Sequence, residues 1–330
     1  MSENKLIVDF LNVGFGESIC IRATGTKPLN ILVDGGDNRQ DVFACRRNRI
    51  KLSQYLSGEG IRDIDLLVIT HLHQDHLGGI HEVISDISVR EAWVNYLLPQ
   101  EFHGGKVSSE GSNIENAIDM YDDIFRILKK NGTKIRLIEE DMRWTRDISD
   151  NSLRITGMTP GKQLLAKLNK DMEMIYRTTN HEERKGILQE VDEFLNRTCI
   201  VVKIDYLGTG ILLCSDAPLS FWKQFNDTEN LKAVILKAPH HGDIEHINRE
   251  LLSAVGAKYL VISADGERTY NLPSPETKSL AESMGLEVIY TEDSDLNESG
   301  CGKENSVGNV VRFNVGYRQV AYSRHLVRQV

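Results

Sequence analysis

The chain has 330 residues, 40% of them hydrophobic and 26% charged, with a formal net charge of −9 and a pI near 5.6. That composition suits a globular protein with a sizeable core, as one large α/β domain or two smaller ones, and its acidity argues against a protein that coats nucleic acid or a membrane surface. The scattered cysteines Cys20, Cys45, Cys199, Cys214 and Cys301 never stand in CxxC spacing, which fits reduced thiols in a cytoplasmic protein better than a disulfide framework or a thiolate zinc site.

The opening MSENKLIVDFLNVG has neither a basic stretch nor a long apolar one, so no leader is expected. No window approaches the roughly 18 apolar residues of a membrane span. KLIVDFL (5–11), SICIRA (18–23) and NILVDGG (30–36) read as three closely spaced strands, with Gly14, Gly16, Gly35 and Gly36 turning the chain. CRRNRIK (45–51) could steer a polyanion but reads more simply as a solvated helix face. IDLLVIT (64–70) has the near-continuous apolar character of a strand buried on both faces. The histidine stretch HLHQDH follows, then a helix over GGIHEVISD (78–86) and a strand over EAWVNYL (91–97). From Ser112 to Asn131, Ile114, Ile118, Tyr121, Ile124 and Leu128 recur at helical spacing. Residues 162–195 are polar, charged and helical in composition, and the whole of 112–195 is expected to be a helical insertion leaning on the rest of the fold. The strand rhythm then resumes with a hairpin over TCIVVKIDYLGTGILLCSD (198–216), followed by AVILKAPHHG (233–242), AKYLVISAD (257–265) and LEVIYT (286–291). A helix starting near Pro275 separates the last two.

Three of the chain's 10 histidines and an aspartate crowd into THLHQDHLGG as His71, His73, Asp75 and His76. Neutral imidazole nitrogen and carboxylate oxygen are the donors that Zn²⁺ or Mn²⁺ takes in a water-accessible site. Residues two apart in extended backbone face the same way, so His71 and His73 converge on one point. The turn that follows aims Asp75 and His76 at a second point, and two adjacent points predict a dinuclear centre.

THLHQDH matches the HxHxDH signature and so resembles the metallo-β-lactamase fold. The resemblance implies an α/β four-layer αββα sandwich, a single domain over 1–330 carrying the insertion. LNVGFGES, LVDGG, LLCSD and LKAPHHGD are similar, in family order from residue 8 to about 290, to segments of one branch: the hydrolase domain of the bacterial DNA-uptake channel ComEC and its stand-alone relatives. By that resemblance Asp216 bridges two metals. One of His240 and His241 is a ligand and the other faces the substrate or acts as an acid. Asp34 orients ligands from behind, and Asp75, His240 and His241 are the catalytic candidates. Two departures stand out. Many relatives carry a further histidine before the bridging aspartate, where LNRTCIVV has Asn196 and Thr198; this implies a weaker, more oxygen-rich first site, inclined to Mn²⁺. YNLPSPE (270–276) has Leu272 and Ser274 where relatives often carry histidines, implying a different substrate or a slower reaction. His81, His103, His181, His246 and His325 read as surface or structural residues.

The chemistry implied is hydrolysis by a metal-activated hydroxide with one or two divalent ions, Zn²⁺ or Mn²⁺. A phosphodiesterase or nuclease leads, with a phosphodiester substrate and nucleic acid as one candidate. A hydrolase of a lactone, thioester or β-lactam and a metal-stabilised binding module are the alternatives.

Overall fold

In the computed structural model the described residues are 5–24, 28–44, 48–107, 111–139, 142–148, 151–225, 228–292, 308–317 and 319–327. Cys45, Cys301 and the first three residues of the basic run lie outside them. In chain order the elements are β1 (Leu6–Leu11), β2 (Ile19–Ala23), β3 (Leu29–Val33), α1 (Gln40–Ala44), α2 (Leu52–Gly58), β4 (Asp63–Val68), α3 (Gln74–Val83) and β5 (Ser88–Val94). Next come α4 (Asn113–Lys130), β6 (Lys134–Leu137), β7 (Met142–Ile148), β8 (Asn151–Met158), α5 (Lys162–Arg177), α6 (His181–Leu195), β9 (Val201–Tyr206) and β10 (Thr209–Leu213). The rest are α7 (Leu219–Trp222), β11 (Ile235–Lys237), α8 (Arg249–Val255), β12 (Tyr259–Ile262), α9 (Pro275–Ser283), β13 (Glu287–Tyr290), β14 (Val310–Gly316) and β15 (Gln319–His325).

These strands form two sheets, in the orders β15-β14-β1-β2-β3-β4-β5-β6 and β13-β12-β11-β10-β9-β8-β7. Short turns give antiparallel pairs, as in β1–β2 and β9–β10, while helical connections allow parallel ones. β3 runs parallel to β4 with Ile31 opposite Leu66, and β10 parallel to β11 with Ile211 opposite Ile235. Alternation along each strand decides which core a side chain joins. Ile31 and Val33 point between the sheets with Ile211 and Leu213, whereas Leu32 points out to the helices. Leu77, Ile80, Tyr121, Met172 and Val191, from α3 to α6, cover the outer face of the first sheet. Phe221, Leu252 and Ala281, from α7 to α9, cover the outer face of the second. The architecture is therefore the four-layer αββα sandwich.

Three expectations need correction. Residues 112–195 are not a purely helical insertion, because β6 closes an edge of the first sheet and β7–β8 extend the second; only α4, α5 and α6 are helical there. α3 begins at Gln74, not near Gly78, so Asp75 and His76 ride its first turn. Arg49 is not on a solvated helix face: its guanidinium is buried, 2.8 Å from Glu292 and also paired with Glu267.

On the helix side of β1 the buried Asp9 accepts from Tyr55 Oη at 2.6 Å, from Arg22 at 2.9 Å and from Arg312 of β14 at 2.7 Å. Glu59 engages the same two arginines at 2.6 and 2.7 Å. This network ties α2 and β14 to β1. Cys20, Cys199 and Cys214 are buried free thiols, and burial pushes Cys20 up to about 12.

Candidate metal centre

The site forms where β4, β10 and β11 end on one edge of the sandwich. The close approach of Gly35 and Gly79 brings its back wall together. A Cβ on Gly79 would lie 2.0 Å from the Gly35 carbonyl oxygen, and Gly35 N–H donates to the His76 carbonyl at 2.8 Å. Only glycine permits that approach of α3 to the end of β3, and it seats Asp34 directly behind His76. Asp34 (φ 55°), Ser215 (49°), His240 (44°) and His241 (52°) all hold the left-handed backbone region. Such strain costs on the order of 1–3 kcal/mol per residue and collects at functional sites. Here it turns each strand end inward.

Each of four histidines has one ring nitrogen engaged, so the other is free to face the centre. His71 Nδ1 lies 3.0 Å from Thr70 Oγ1, which itself donates to Asp34 at 2.6 Å. His76 Nδ1 meets Asp34 Oδ2 at 2.7 Å. His241 Nδ1 donates to the Ser263 carbonyl at 2.8 Å. His73 is reversed: its Nε2 faces Asp192 of α6 at 3.3 Å and its Nδ1 looks inward. A partner on one nitrogen selects the tautomer and leaves the lone pair on the other.

The inward atoms form two groups that share His76, namely His71, His76 and Asp216, and Asp75, His76 and His241. His71 Nε2 is 3.0 Å from His73 Nδ1 and 3.6 Å from Asp216 Oδ2. His76 Nε2 is 3.6 Å from Asp75 Oδ2 and 3.5 Å from Asp216 Oδ2. His241 Nε2 is 3.2 Å from Asp75 Oδ2 and 3.8 Å from Asp216 Oδ2. Donors around a tetrahedral ion with bonds of about 2.0–2.1 Å stand roughly 3.3 Å apart, so these separations fit. His76 Nε2, His241 Nε2 and Asp216 Oδ1 are buried with no hydrogen-bond partner in the chain. Orphaned buried donors and acceptors are costly, and a cation is what this donor set would accept.

The carboxylates make the centre attractive to positive charge, which in the absence of a metal falls on His76. Burial works against a charge on His76, but Asp216, Asp75 and Asp34 outweigh it and hold its pKa well above the usual histidine value. Burial likewise opposes charge on Asp216, yet His76 and His241 keep its carboxyl well below the ordinary range. His71 is pushed well down by burial and then by His76 and His73, which keeps it neutral and able to ligate. Asp34 is raised, chiefly by burial.

Of the residues singled out in the sequence, His71, His73, Asp75, His76, Asp216 and His241 converge, with Asp34 behind them. His240 stands on the rim, its Nδ1 3.1 Å from Asp243 Oδ2. Asn196 follows α6 on a short 3₁₀ turn, its Oδ1 buried without a partner, while Thr198 Oγ1 donates to the Leu195 carbonyl. Leu272 and Ser274 line the cleft, and Ser274 Oγ accepts from Ile244 N–H at 3.1 Å. His81 pairs with Asp123, His325 with Glu59, and His103 Nε2 reaches the Leu98 carbonyl; His181 is exposed. His246 is the exception, since it packs against His240 at the rim with ring centroids 4.2 Å apart. Asp192, Asp243, Thr70 and Ser263 were not singled out. HHGDIEH did display Asp243 and His246 at regular spacing, but nothing local marks Asp192.

A cleft of about 630 Å³ opens over these atoms. No helix among the described residues is long and apolar enough to cross a membrane.

Comparison with known proteins agrees with this geometry. Residues 29–143 match the family model of the metallo-beta-lactamase superfamily. The chain is 19% identical over 294 residues to ComE operon protein 3 of Bacillus subtilis (strain 168), covering 86% of this chain and 32% of that protein. It thus spans about a third of that relative's length. Solved structures similar in fold include unliganded yeast PDE1 (12% identical, TM-score 0.45, covering 88% of this chain and 98% of that one). Another is Zn²⁺-bound PqqB from Methylobacterium extorquens (11%, TM-score 0.42, 86% and 97%). A third is a long form RNase Z from yeast (14%, TM-score 0.42, 87% and 40%). With the two-sheet sandwich, the donor cluster at its edge and the family match from β3 through β6, the chain has the metallo-β-lactamase fold.

Proposed function

We propose that this chain is a metal-dependent hydrolase of phosphodiesters. The observation that carries the reading is the place of Asp216 Oδ2, 3.6 Å from His71 Nε2 on one side and 3.5 Å from His76 Nε2 on the other. One ion would be held by His71, His73 and Asp216, and a second by Asp75, His76, Asp216 and His241; Zn²⁺ and Mn²⁺ both suit these donors. When bound, such a pair lowers the pKa of its water from about 15.7 toward 7 and polarises the substrate oxygen.

The chain's own residues supply the rest. Asp34 and Thr70 keep imidazoles aimed. His240 faces the substrate from the rim. Phe15 packs tilted on His241 at 4.3 Å and edge-on to the exposed Tyr270 at 5.2 Å between centroids, giving aromatic surface beside the cleft suited to an apolar substituent of the ester. Among the described residues the cleft lining is acidic, with Asp37, Asp75, Asp192, Asp216, Asp243 and Glu245, and Arg39 there is paired to Asp37 at 2.7 Å. An anionic substrate is repelled by such a surface unless cations reverse its sign. With no track of lysines or arginines among the described residues of that lining, a small diester suits the cleft better than a long polynucleotide.

The test is turnover of bis-p-nitrophenyl phosphate against a lactone and a thioester, with Zn²⁺ or Mn²⁺. The diester should turn over fastest, and His76→Ala should lower that rate by more than the roughly 100-fold that losing an outer partner costs. Faster lactone or thioester cleavage would make the chain a hydrolase of that bond; metal binding without turnover of any of the three would make it a binding module.

A further inference from the structure

Outside the paired donor sets, the segment HHGDIEH places three more metal-binding side chains together at the cleft rim. His240 Nδ1 lies 3.1 Å from Asp243 Oδ2, and His246 Nδ1 lies 3.2 Å from the same oxygen. Donor atoms of the three residues all fall within 4.8 Å of one another. The His246 nitrogen is close to Asp243 but not aligned with it, and it is buried without a hydrogen-bond partner. The other carboxylate oxygen is already used: Asp243 Oδ1 accepts from Glu245 N–H at 2.9 Å. That bond orients the carboxylate so that Oδ2 alone faces both imidazoles.

We propose that His240, Asp243 and His246 bind a third divalent cation. The separations of 3.1 and 3.2 Å are close to the roughly 3.3 Å between donors around a tetrahedral zinc ion. Two imidazoles and a carboxylate form a zinc-type set, and three protein ligands leave a position open for water or substrate. The loop is held in advance, because Ser274 Oγ accepts from Ile244 N–H and Ser274 N–H donates to the Gly242 carbonyl, each at 3.1 Å. An ion here would satisfy the orphaned nitrogen of His246. His240 and Asp243 line the cleft, so the ion would place positive charge beside the substrate, and His240 would meet substrate as a metal-bound imidazole. The site shares no donor atom with the pair above and stands independently of it.

The test is metal stoichiometry by elemental analysis of Zn²⁺-loaded, desalted protein, with anomalous scattering at the zinc edge to place the ions. Wild type should hold one more ion than His246→Ala and one more than His246→Gln, the second variant keeping polarity and bulk should the first misfold. His76→Ala removes a ligand of the second ion and separates the two readings: the rim ion should persist there and disappear in His76→Ala/His246→Ala. Equal metal content in wild type and both His246 variants, or an anomalous map with no peak among the three residues, would overturn the third site while leaving the pair untouched.

Discussion

Asp34 shows how much a single carboxylate organises. It is fully buried, accepts from Thr70 N–H at 2.9 Å and Thr70 Oγ1 at 2.6 Å, and holds His76 at 2.7 Å. Through Thr70 it also reaches His71. Asp34→Asn keeps the shape but removes the charge that supports an imidazole ligand, so metal affinity should fall about 10–100-fold, read as a dissociation constant by competition with a chelator. An unchanged constant would mean that the glycine contacts alone aim His76. The histidines themselves were legible in the sequence because HxHxDH is local. Which of His240 and His241 turns inward was not, since two consecutive left-handed residues decide it and neither is glycine. Tautomers were equally hidden, because the partners of His73, His76 and His241 come from distant segments of the chain.

At the scale of elements, α6 matters most. It carries Asp192 to His73, and that carboxylate is half-exposed whereas the anchors of His71, His76 and His241 are buried. His73 of the first set therefore leans on a half-exposed anchor on α6, whereas both imidazoles of the second set lean on buried ones. Asp192→Asn should let mild chelation remove the first ion sooner while the second is retained, followed by metal content over time; loss of both at equal rates would contradict the division into sets. The periodicity of α4 and the apolar runs of β4 and β9–β10 made those elements readable. β6 and β7 were missed because they are edge-side strands with few buried positions: KIRL alternates exposed and half-buried, and MRWTRDI buries only Trp144 and Ile148. Edge strands lack the apolar run by which a central strand is recognised.

Across the whole molecule, the network of Asp9, Arg22, Glu59 and Arg312 joins the first strand to one near the end of the chain. Burial raises the Glu59 pKa, but Arg312 and Arg22 outweigh it and the net shift is downward from 4.5. A carboxylate whose folded pKa is depressed contributes stability above its unfolded value and loses it as pH falls through the folded one. Stability to urea should therefore decline on acidification below about pH 4.5, and Glu59→Gln should be less stable at neutral pH with a shallower decline. An identical pH profile for wild type and variant would show that the arginines are satisfied by Asp9 alone.

The position of Asp216 Oδ2 between two donor sets has a thermodynamic corollary. Two ions that leaned on one oxygen would not be independent ligands, and whatever the first did to the affinity of the second, the second would do to the first. The first to bind takes up much of that oxygen's charge and adds its own repulsion at short range, where charges are poorly screened. Occupancy should be negatively cooperative: a zinc titration spread over a wider concentration range than a single-site curve, with a Hill coefficient below one, so that low zinc populates a mononuclear form before the dinuclear one.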